Sequence, residues 1–379
     1  VGELRASNMR VAFRTDASLE IGTGHVMRCL TLASMLRSRG AECIFLSRAH
    51  EGHLLEQIER QGFTAFVLDE HPSSSLQKGV TADGQPPHAA WLGTSWENDA
   101  GDSQSALSTF SSMGPVDWLV VDHYGLDIQW ERAMRESCIK LLVIDDLADR
   151  AHDCDLLLDQ NLGRDAADYA SRASRNTHLL MGPEYALLRP EFSEARDASL
   201  RRRSSPTLQQ ILVTMGGVDK GNFTRQVLMA LNDCPLPEDV HVVAVMGPHA
   251  PWLADIRELT NGMRVATSVK VGVTNMAELM SVSDVAIGAG GSTTWERCSV
   301  GLPAVLASIA ANQERITQAV VQSGAALECD MDSMHSTFMD LFASRDLPSR
   351  LAAMSRAAAA VTDGEGAQRV SGEMMCRKQ

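Results

Sequence analysis

A histidine follows two glycines in Gly22-Thr23-Gly24-His25, where the apolar run Val11-Ala12-Phe13 has given way to a loop and helical spacing is about to begin. That placement suits general-base chemistry. Near a helix N-terminus the imidazolium is disfavoured, so a neutral ring is available to take a proton. The bland alternative is a histidine that caps a turn. Asp16, at the end of the same apolar run, is a candidate to orient His25 or to bind substrate. Asp122-His123-Tyr124 closes a second run, Trp118 to Val121, and a tyrosine there can stack on or hydrogen-bond to a sugar. Asp145-Asp146 closes a third. Adjacent carboxylates on extended backbone alternate in direction and need not share a site. Asp159-Gln160-Asn161 could line a cleft floor or merely form an Asx turn. There is no H-E-x-x-H and no G-x-S-x-G.

A second set of residues suits phosphate. Gly288-Ala289-Gly290-Gly291-Ser292-Thr293 follows an apolar strand and opens a helix containing Glu296. Backbone N–H groups and hydroxyls at a helix start bind a diphosphate without lysine. The alternative is a ligand-free cap. Glu296 is placed to accept a hydrogen bond from a ribose hydroxyl. Gly216-Gly217 forms a similar turn, and Gly22 with Gly24 another. Three such turns, split between two halves of the chain, point to a polyphosphate-bearing ligand.

The elements that must position these residues alternate strand and helix. Strands are expected at 9–13, 41–46, 63–68, 118–121, 141–144 and 156–158, and again at 210–214, 240–245, 282–287 and 304–306. Helices are expected from His25 to Gly40 and at 54–60, 103–110, 128–136, 222–231, 294–299 and 312–322. This is the grammar of parallel sheets with helical cover, whose ligands lie at the carboxyl edge of the strands. Residues 71–102 read as a long loop, polar at 71–88. Arg201-Arg202-Arg203-Ser204-Ser205-Pro206 reads as a solvated linker. The expected domains are 9–200 and 201–350, with a helical tail over 351–379 packing back on the first.

With 379 residues the chain is too long for one ordinary core and comfortable for two. Lys plus Arg number 34 and Asp plus Glu 48, a net charge of −14 that argues against general nucleic-acid binding. No window is apolar enough to insert in a membrane, and residues 1–9 show no secretory h-region, so a cytoplasmic protein is expected. The eight cysteines form no CxxC pair, so neither a disulfide scaffold nor a zinc cluster is expected.

Phe13-Arg14-Thr15-Asp16-Ala17-Ser18 and Ile21-Gly22-Thr23-Gly24-His25-Val26-Met27-Arg28-Cys29 together resemble the opening of the UDP-2,4-diacetamido-2,4,6-trideoxy-beta-L-altropyranose hydrolases of pseudaminic acid biosynthesis. The resemblance continues through Trp91-Leu92-Gly93, Asp99-Ala100, 118–124, 143–150, 182–192, 288–296 and Asn312-Gln313, covering most of the chain from Met9 to Gln322. It implies an α/β chain of two Rossmann-like domains facing an interdomain cleft, glycosyltransferase-B-like. It implies inverting, metal-free C–O cleavage of a UDP-sugar with His25 activating water, assisted by Tyr124 and Asp16. Arg14, Gly24, Asp122, His123, Asp145, Gln160 and Asn275 would contact the sugar or diphosphate. Gly216, Gly217, Gly290, Gly291, Ser292, Thr293, Glu296, Asn312 and Gln313 would hold UDP. No cofactor and a monomer are expected. A hydrolase of a related UDP-diacetamido sugar, a glycosyltransferase using the same residues, and a non-catalytic binder remain alternatives.

Overall fold

The computed structural model describes residues 9–71, 86–110, 114–248, 250–307, 309, 311–330 and 332–377, with the side chains of 311 and 312 left out of the description. The chain divides into two compact units, 1–187 with 366–379, and 188–365. The first begins β1 (Arg10–Thr15), α1 (Gly24–Ser38), β2 (Glu42–Arg48), α2 (Leu55–Arg60), β3 (Thr64–Leu68), α3 (Trp96–Phe110) and β4 (Val116–Asp122). It continues through α4 (Ile128–Ala133), β5 (Cys138–Ile144), β6 (Leu156–Asp159) and β7 (His178–Met181). The strands pair in the order β3-β2-β1-β4-β5-β6-β7, all parallel.

The second unit holds α5 (Pro190–Arg203), β8 (Gln210–Thr214), α6 (Phe223–Asn232), β9 (His241–Met246), α7 (Leu253–Asn261), β10 (Ala266–Val271) and α8 (Met276–Val282). It ends with β11 (Val285–Ala289), α9 (Thr293–Ser299), β12 (Ala304–Ala307), α10 (Ala311–Gln322), β13 (Ala326–Glu328), α11 (Met334–Phe342) and α12 (Leu347–Val361). Its sheet runs β10-β9-β8-β11-β12-β13, again parallel. The last helix, α13 (Gly366–Cys376), belongs to the first unit.

The apolar runs are central strands covered on both faces. Val11, Phe13, Trp118, Val120, Leu142 and Ile144 enter one core with Val26, Leu30 and, from α13, Val370 and Met374. Their neighbours Ala12, Leu119, Val121, Leu141 and Val143 enter a second core with Leu107 and Trp130. Alternate residues of one strand thus serve opposite faces, which explains the continuous apolar text. In the second unit Ile211, Val213, Val242, Val285, Ile287 and Val305 share one core.

Three expectations change. The helix expected from Ser103 starts at Trp96, and the expected long loop shrinks to residues preceding it, with 72–85 outside the described residues. Helix α5, assigned by the sequence to the first domain, packs against α8, α9 and α12 of the second unit. Arg203 is no solvated linker residue. It is 5% exposed and donates to the backbone oxygens of Val300, Ser283 and Met280 at 3.1, 2.8 and 2.8 Å, satisfying carbonyls at helix ends. A guanidinium can serve several such acceptors at once.

Candidate active site

Strand order locates both sites. In the first sheet the order reverses between β1 and β4, and in the second between β8 and β11. At such a switch point the loops diverge and leave a crevice at the carboxyl edge. His25 follows β1 and Asp122 ends β4. Gly216-Gly217 follows β8 and Gly290-Gly291 follows β11.

His25 lies in the first turn of α1, and its Nδ1 is 2.6 Å from Asp122 Oδ1. Asp122 is fully buried. It accepts two further hydrogen bonds from Arg28, Nη2 to Oδ1 at 2.6 Å and Nε to Oδ2 at 2.7 Å. Burial pushes this carboxyl up, but the Arg28 charge, followed by His25, outweighs it and holds Asp122 well below the usual carboxylate range. An ionised carboxylate only accepts, so Asp122 fixes a proton on His25 Nδ1, and in the neutral ring the acceptor is therefore Nε2. That is the geometry of an oriented base.

Tyr124 stands edge-on to His25, ring centroids 4.5 Å apart. Its hydroxyl donates to Asp146 Oδ2 at 2.7 Å. Burial, then the Asp146 charge, raises the phenol well above its ordinary value, so it stays protonated. Asp146 also accepts from Arg28 Nη1 at 2.6 Å and from Asn161 Nδ2 at 3.1 Å. His25, Asp122, Arg28, Asp146 and Tyr124 therefore form one connected network. Arg28 and Asp146 were not among the expected site residues. The signal for Arg28 was present, because positions three apart share a helix face and Arg28 stands three residues after His25.

Several expected ligand-binding residues are engaged inside the protein instead. Asp16 does not touch His25, whose carboxylate partner is Asp122. Asp16 Oδ1 accepts from Ser47 Oγ at 3.1 Å and the Arg48 N–H at 2.8 Å, and pairs with Arg14 Nη1 at 2.8 Å. Arg14 is wholly buried and donates to both oxygens of Asp99 at 3.0 and 2.7 Å. His123 accepts from the Gly125 N–H at 3.0 Å through Nδ1, so its proton lies on Nε2, 3.4 Å from Asp16 Oδ2. Burial pushes its pKa down to about 3 and keeps the ring neutral. Asp145 accepts from Ala148 N, Leu147 N and Tyr169 Oη and pairs with Arg150. Gln160 Oε1 accepts from Leu187 N at 3.1 Å. Each is a strand-end polar group with partners inside the fold, although Arg14 Nη1, Asp16 Oδ2 and His123 Nε2 are buried without a hydrogen-bond partner among the described residues.

In the second unit Gly216 has φ of +102°, which a side chain would oppose. The N-terminus of α6 already holds an anion, since Phe223 N and Thr224 N donate to the Asp219 carboxylate at 2.9 Å each. A bound phosphate would find those N–H groups taken. After β11, a side chain on Gly290 would run into Thr317 Oγ1. Ser292 stands at the N-cap of α9 and makes no cap hydrogen bond through its side chain. Buried Thr294 Oγ1, Thr317 Oγ1 and Arg297 Nε have no protein partner. Burial pushes Glu296 up to about 7. Gln313 Oε1 accepts from Ile309 N at 3.2 Å, and the Asn312 side chain lies outside the description. Asn275 is exposed and donates to Glu278 Oε2 at 2.6 Å. Among the described residues no group of three or more His, Cys, Asp or Glu is disposed to hold a metal, and no helix is long and apolar enough to cross a membrane.

Two parallel sheets, each flanked by helices, define two Rossmann-like domains of the glycosyltransferase-B type. The fold is shared along the whole chain with Acinetobacter baumannii MurG, at a TM-score of 0.68, 16% identity, and 97% and 99% of the two chains covered. In sequence the chain is similar to the UDP-2,4-diacetamido-2,4,6-trideoxy-beta-L-altropyranose hydrolase of Campylobacter jejuni, 25% identical over 73% of this chain and 83% of that protein. It is also 26% identical to an uncharacterised protein of Methanocaldococcus jannaschii over 79% of this chain, and there it spans only 55% of its relative's length. No family model matches the chain.

Proposed function

We propose that this chain is a nucleotide-sugar enzyme in which His25 deprotonates the nucleophile that displaces UDP from the sugar's anomeric carbon. The observation that carries the reading is the His25–Asp122 pair at the first switch point, with Nε2 left as acceptor. The nucleophile's oxygen bonds to C1 as the bond from C1 to the diphosphate oxygen breaks, with inversion. The nucleophile's proton passes to Nε2, and Asp122 stabilises the imidazolium that results. The diphosphate leaves as an anion. In this reading Gly216, Gly217 and the 290–293 turn bind it through backbone N–H groups, Glu296 takes the ribose, and Asn312, Gln313 and Asn275 contribute polar contacts. General-base action of this kind is worth about 10²–10⁴ in rate.

Water is the nucleophile in our reading, and UDP-2,4-diacetamido-2,4,6-trideoxy-beta-L-altropyranose the substrate. The similarity to the Campylobacter jejuni hydrolase supports this. The fold supports equally a second reading, in which a hydroxyl acceptor replaces water, and a related diacetamido sugar fits the same residues. Turnover in heavy-oxygen water separates them. Hydrolysis by C–O cleavage puts the label in the free sugar. UDP release only on addition of a hydroxyl acceptor establishes transfer. UDP binding without release in either assay leaves a binder and overturns both.

A further inference from the structure

Trp91 and His88 lie beside the network described above but take no part in it. A short 3-10 turn, Ala89–Leu92, sets them one above the other, with ring centroids 4.3 Å apart. Trp91 is near-parallel to Tyr124 at 6.0 Å, inclined by 28°, and His88 is 5.6 Å from the same ring. The Arg150 guanidinium also lies 5.6 Å from the Tyr124 ring. Four rings, His25, Tyr124, Trp91 and His88, thus run in a continuous series that starts at the base. The outer two are half-buried, whereas Tyr124 and His25 are 7% exposed each.

A purely structural aromatic cluster is commonly wholly buried, whereas Trp91 and His88 keep part of their rings at the surface beside the base. The Tyr124 hydroxyl is committed to Asp146 and the residue is 7% exposed, so Tyr124 backs the cluster and the accessible ring surface is that of Trp91 and His88. Among the described residues neither the Trp91 indole N–H nor the His88 imidazole has a hydrogen-bond partner in the protein, and His88 is kept neutral by burial. The surface therefore pairs flat apolar faces with neutral polar edges that no described residue engages. Its complement is a small planar group with a methyl at one end and a carbonyl at the other.

We infer that Trp91 and His88 form, with Tyr124, the subsite that holds an acetamido group of the sugar, the methyl against the rings and the carbonyl at the Trp91 N–H or His88 edge. The inference rests on the nucleotide-sugar reading but not on whether the chain hydrolyses or transfers. It makes Trp91 a specificity-determining residue. A hydroxyl in place of the acetamido group would leave the ring faces uncovered. Discrimination through one such contact is about 10- to 200-fold.

The test is read without turnover. Saturation-transfer NMR is run on free 2,4-diacetamido-2,4,6-trideoxyhexose, with UDP in the same sample as an internal control, for wild type, Trp91→Ala, Trp91→Phe and His88→Ala. The expected result is strong transfer to an acetamido methyl in the wild type and at least a fivefold loss in Trp91→Ala. Trp91→Phe should retain most of it, and the UDP signal should stay unchanged in all four. A wild-type-like thermal melt and near-UV spectrum for Trp91→Ala show that its first unit has not simply unfolded, and the UDP signal reports the second unit. Absence of acetamido transfer in the wild type, or its survival in Trp91→Ala, overturns the subsite. Hydrolysis of the UDP-sugar by the wild type is measured in parallel and decides the broader reading separately. A protein that never releases UDP can still show the acetamido contact, and a working hydrolase can lack it.

Discussion

Asp122→Asn isolates the oriented base. Asp122 accepts three short charge-assisted hydrogen bonds, at 2.6, 2.6 and 2.7 Å, from His25 and Arg28. Asparagine has one acceptor oxygen and two donors. With its NH₂ at the Oδ2 position it faces Arg28 Nε, donor against donor. With its NH₂ at the Oδ1 position it faces Arg28 Nη2 and His25 Nδ1, and the imidazole then moves its proton to Nε2. The first arrangement keeps the tautomer but removes the charge that stabilises the imidazolium. The second removes the base outright. The loss expected in kcat is about 10³–10⁴-fold, or about 4–5.5 kcal/mol of barrier, the scale seen when a buried carboxylate behind a catalytic histidine is made an amide. Arg28 keeps Asp146 as counter-ion at 2.6 Å, so the stability cost stays near the low end of that for a broken buried pair, about 3 kcal/mol. The assay is UDP release under saturating substrate, with a thermal melt to show that the variant is folded. His25→Ala and the double variant complete a cycle, and the double variant should be no slower than the slower single one, because the two residues act as a unit. A folded Asp122→Asn protein retaining more than about a tenth of wild-type kcat would refute the reasoning.

The buried His152 has its pKa pushed up to about 9, against burial, by the Asp145 carboxylate 3.6 Å from Nε2 and by Glu131, which accepts from Nδ1 at 2.6 Å. A raised folded pKa gives stability that is full below the unfolded value, about 6.5, and is lost as pH rises through 9. The wild type should therefore lose up to about 3 kcal/mol between pH 6 and 10 that His152→Gln does not, and parallel urea titrations of the two proteins across that range, if superimposable in slope, would remove the claim. Arg203→Met leaves the carbonyls of Ser283 and Met280 without this donor, while Val300 keeps Ser199 Oγ at 2.7 Å, and should cost about 2–4 kcal/mol by denaturant unfolding. A cost under 0.5 kcal/mol would show that those carbonyls find other donors. Glu296 is pushed up to about 7 by burial, so if it accepts from a ribose hydroxyl, UDP should bind about 3- to 10-fold more weakly at pH 6 than at pH 8. Calorimetry on Glu296→Gln should show the dependence reduced to the part due to the terminal phosphate of UDP, which itself titrates at about pH 6, and an unchanged pH profile in the variant would exclude the contact.

The central strands were legible because their residues are apolar on both faces, as Val11-Ala12-Phe13 shows. His25 was legible because the glycines mark a strand-to-helix turn. Its partner was harder to read. Asp16 and Asp122 both end apolar strands, and only the pairing of β1 with β4 brings the second beside α1. Strand β10 was missed because Ala266–Val271 is short and interleaves Thr, Ser and Lys with only two valines, of which Val269 packs against the core. It is an edge strand, partly exposed along its length. Helix α3 was begun too late because Trp96–Asp99 carries two acids. One of them, Asp99, turns inward to meet Arg14, Arg48 and the Trp130 N–H. Single-residue polarity does not reveal a carboxylate that is buried because two arginines are waiting for it. Arg203 failed for the same reason, with helix-end carbonyls in place of carboxylates.

The membership of α13 in the first unit bears on the order in which the protein is made. Ala367, Val370, Met374 and Met375 join the core built by β1 and α1, and the Trp118 indole N–H donates to the Met374 carbonyl at 3.1 Å. Residues 188–365 are synthesised, and emerge from the ribosome, ahead of these α13 residues. The later unit can thus close its core while the earlier one still lacks a wall, with apolar residues of α1 and the Trp118 indole waiting for residues 366–376. Of the two units, the one begun first is finished last, and a nascent chain stalled short of α13 presents that open core to chaperones or to its neighbours on the polysome.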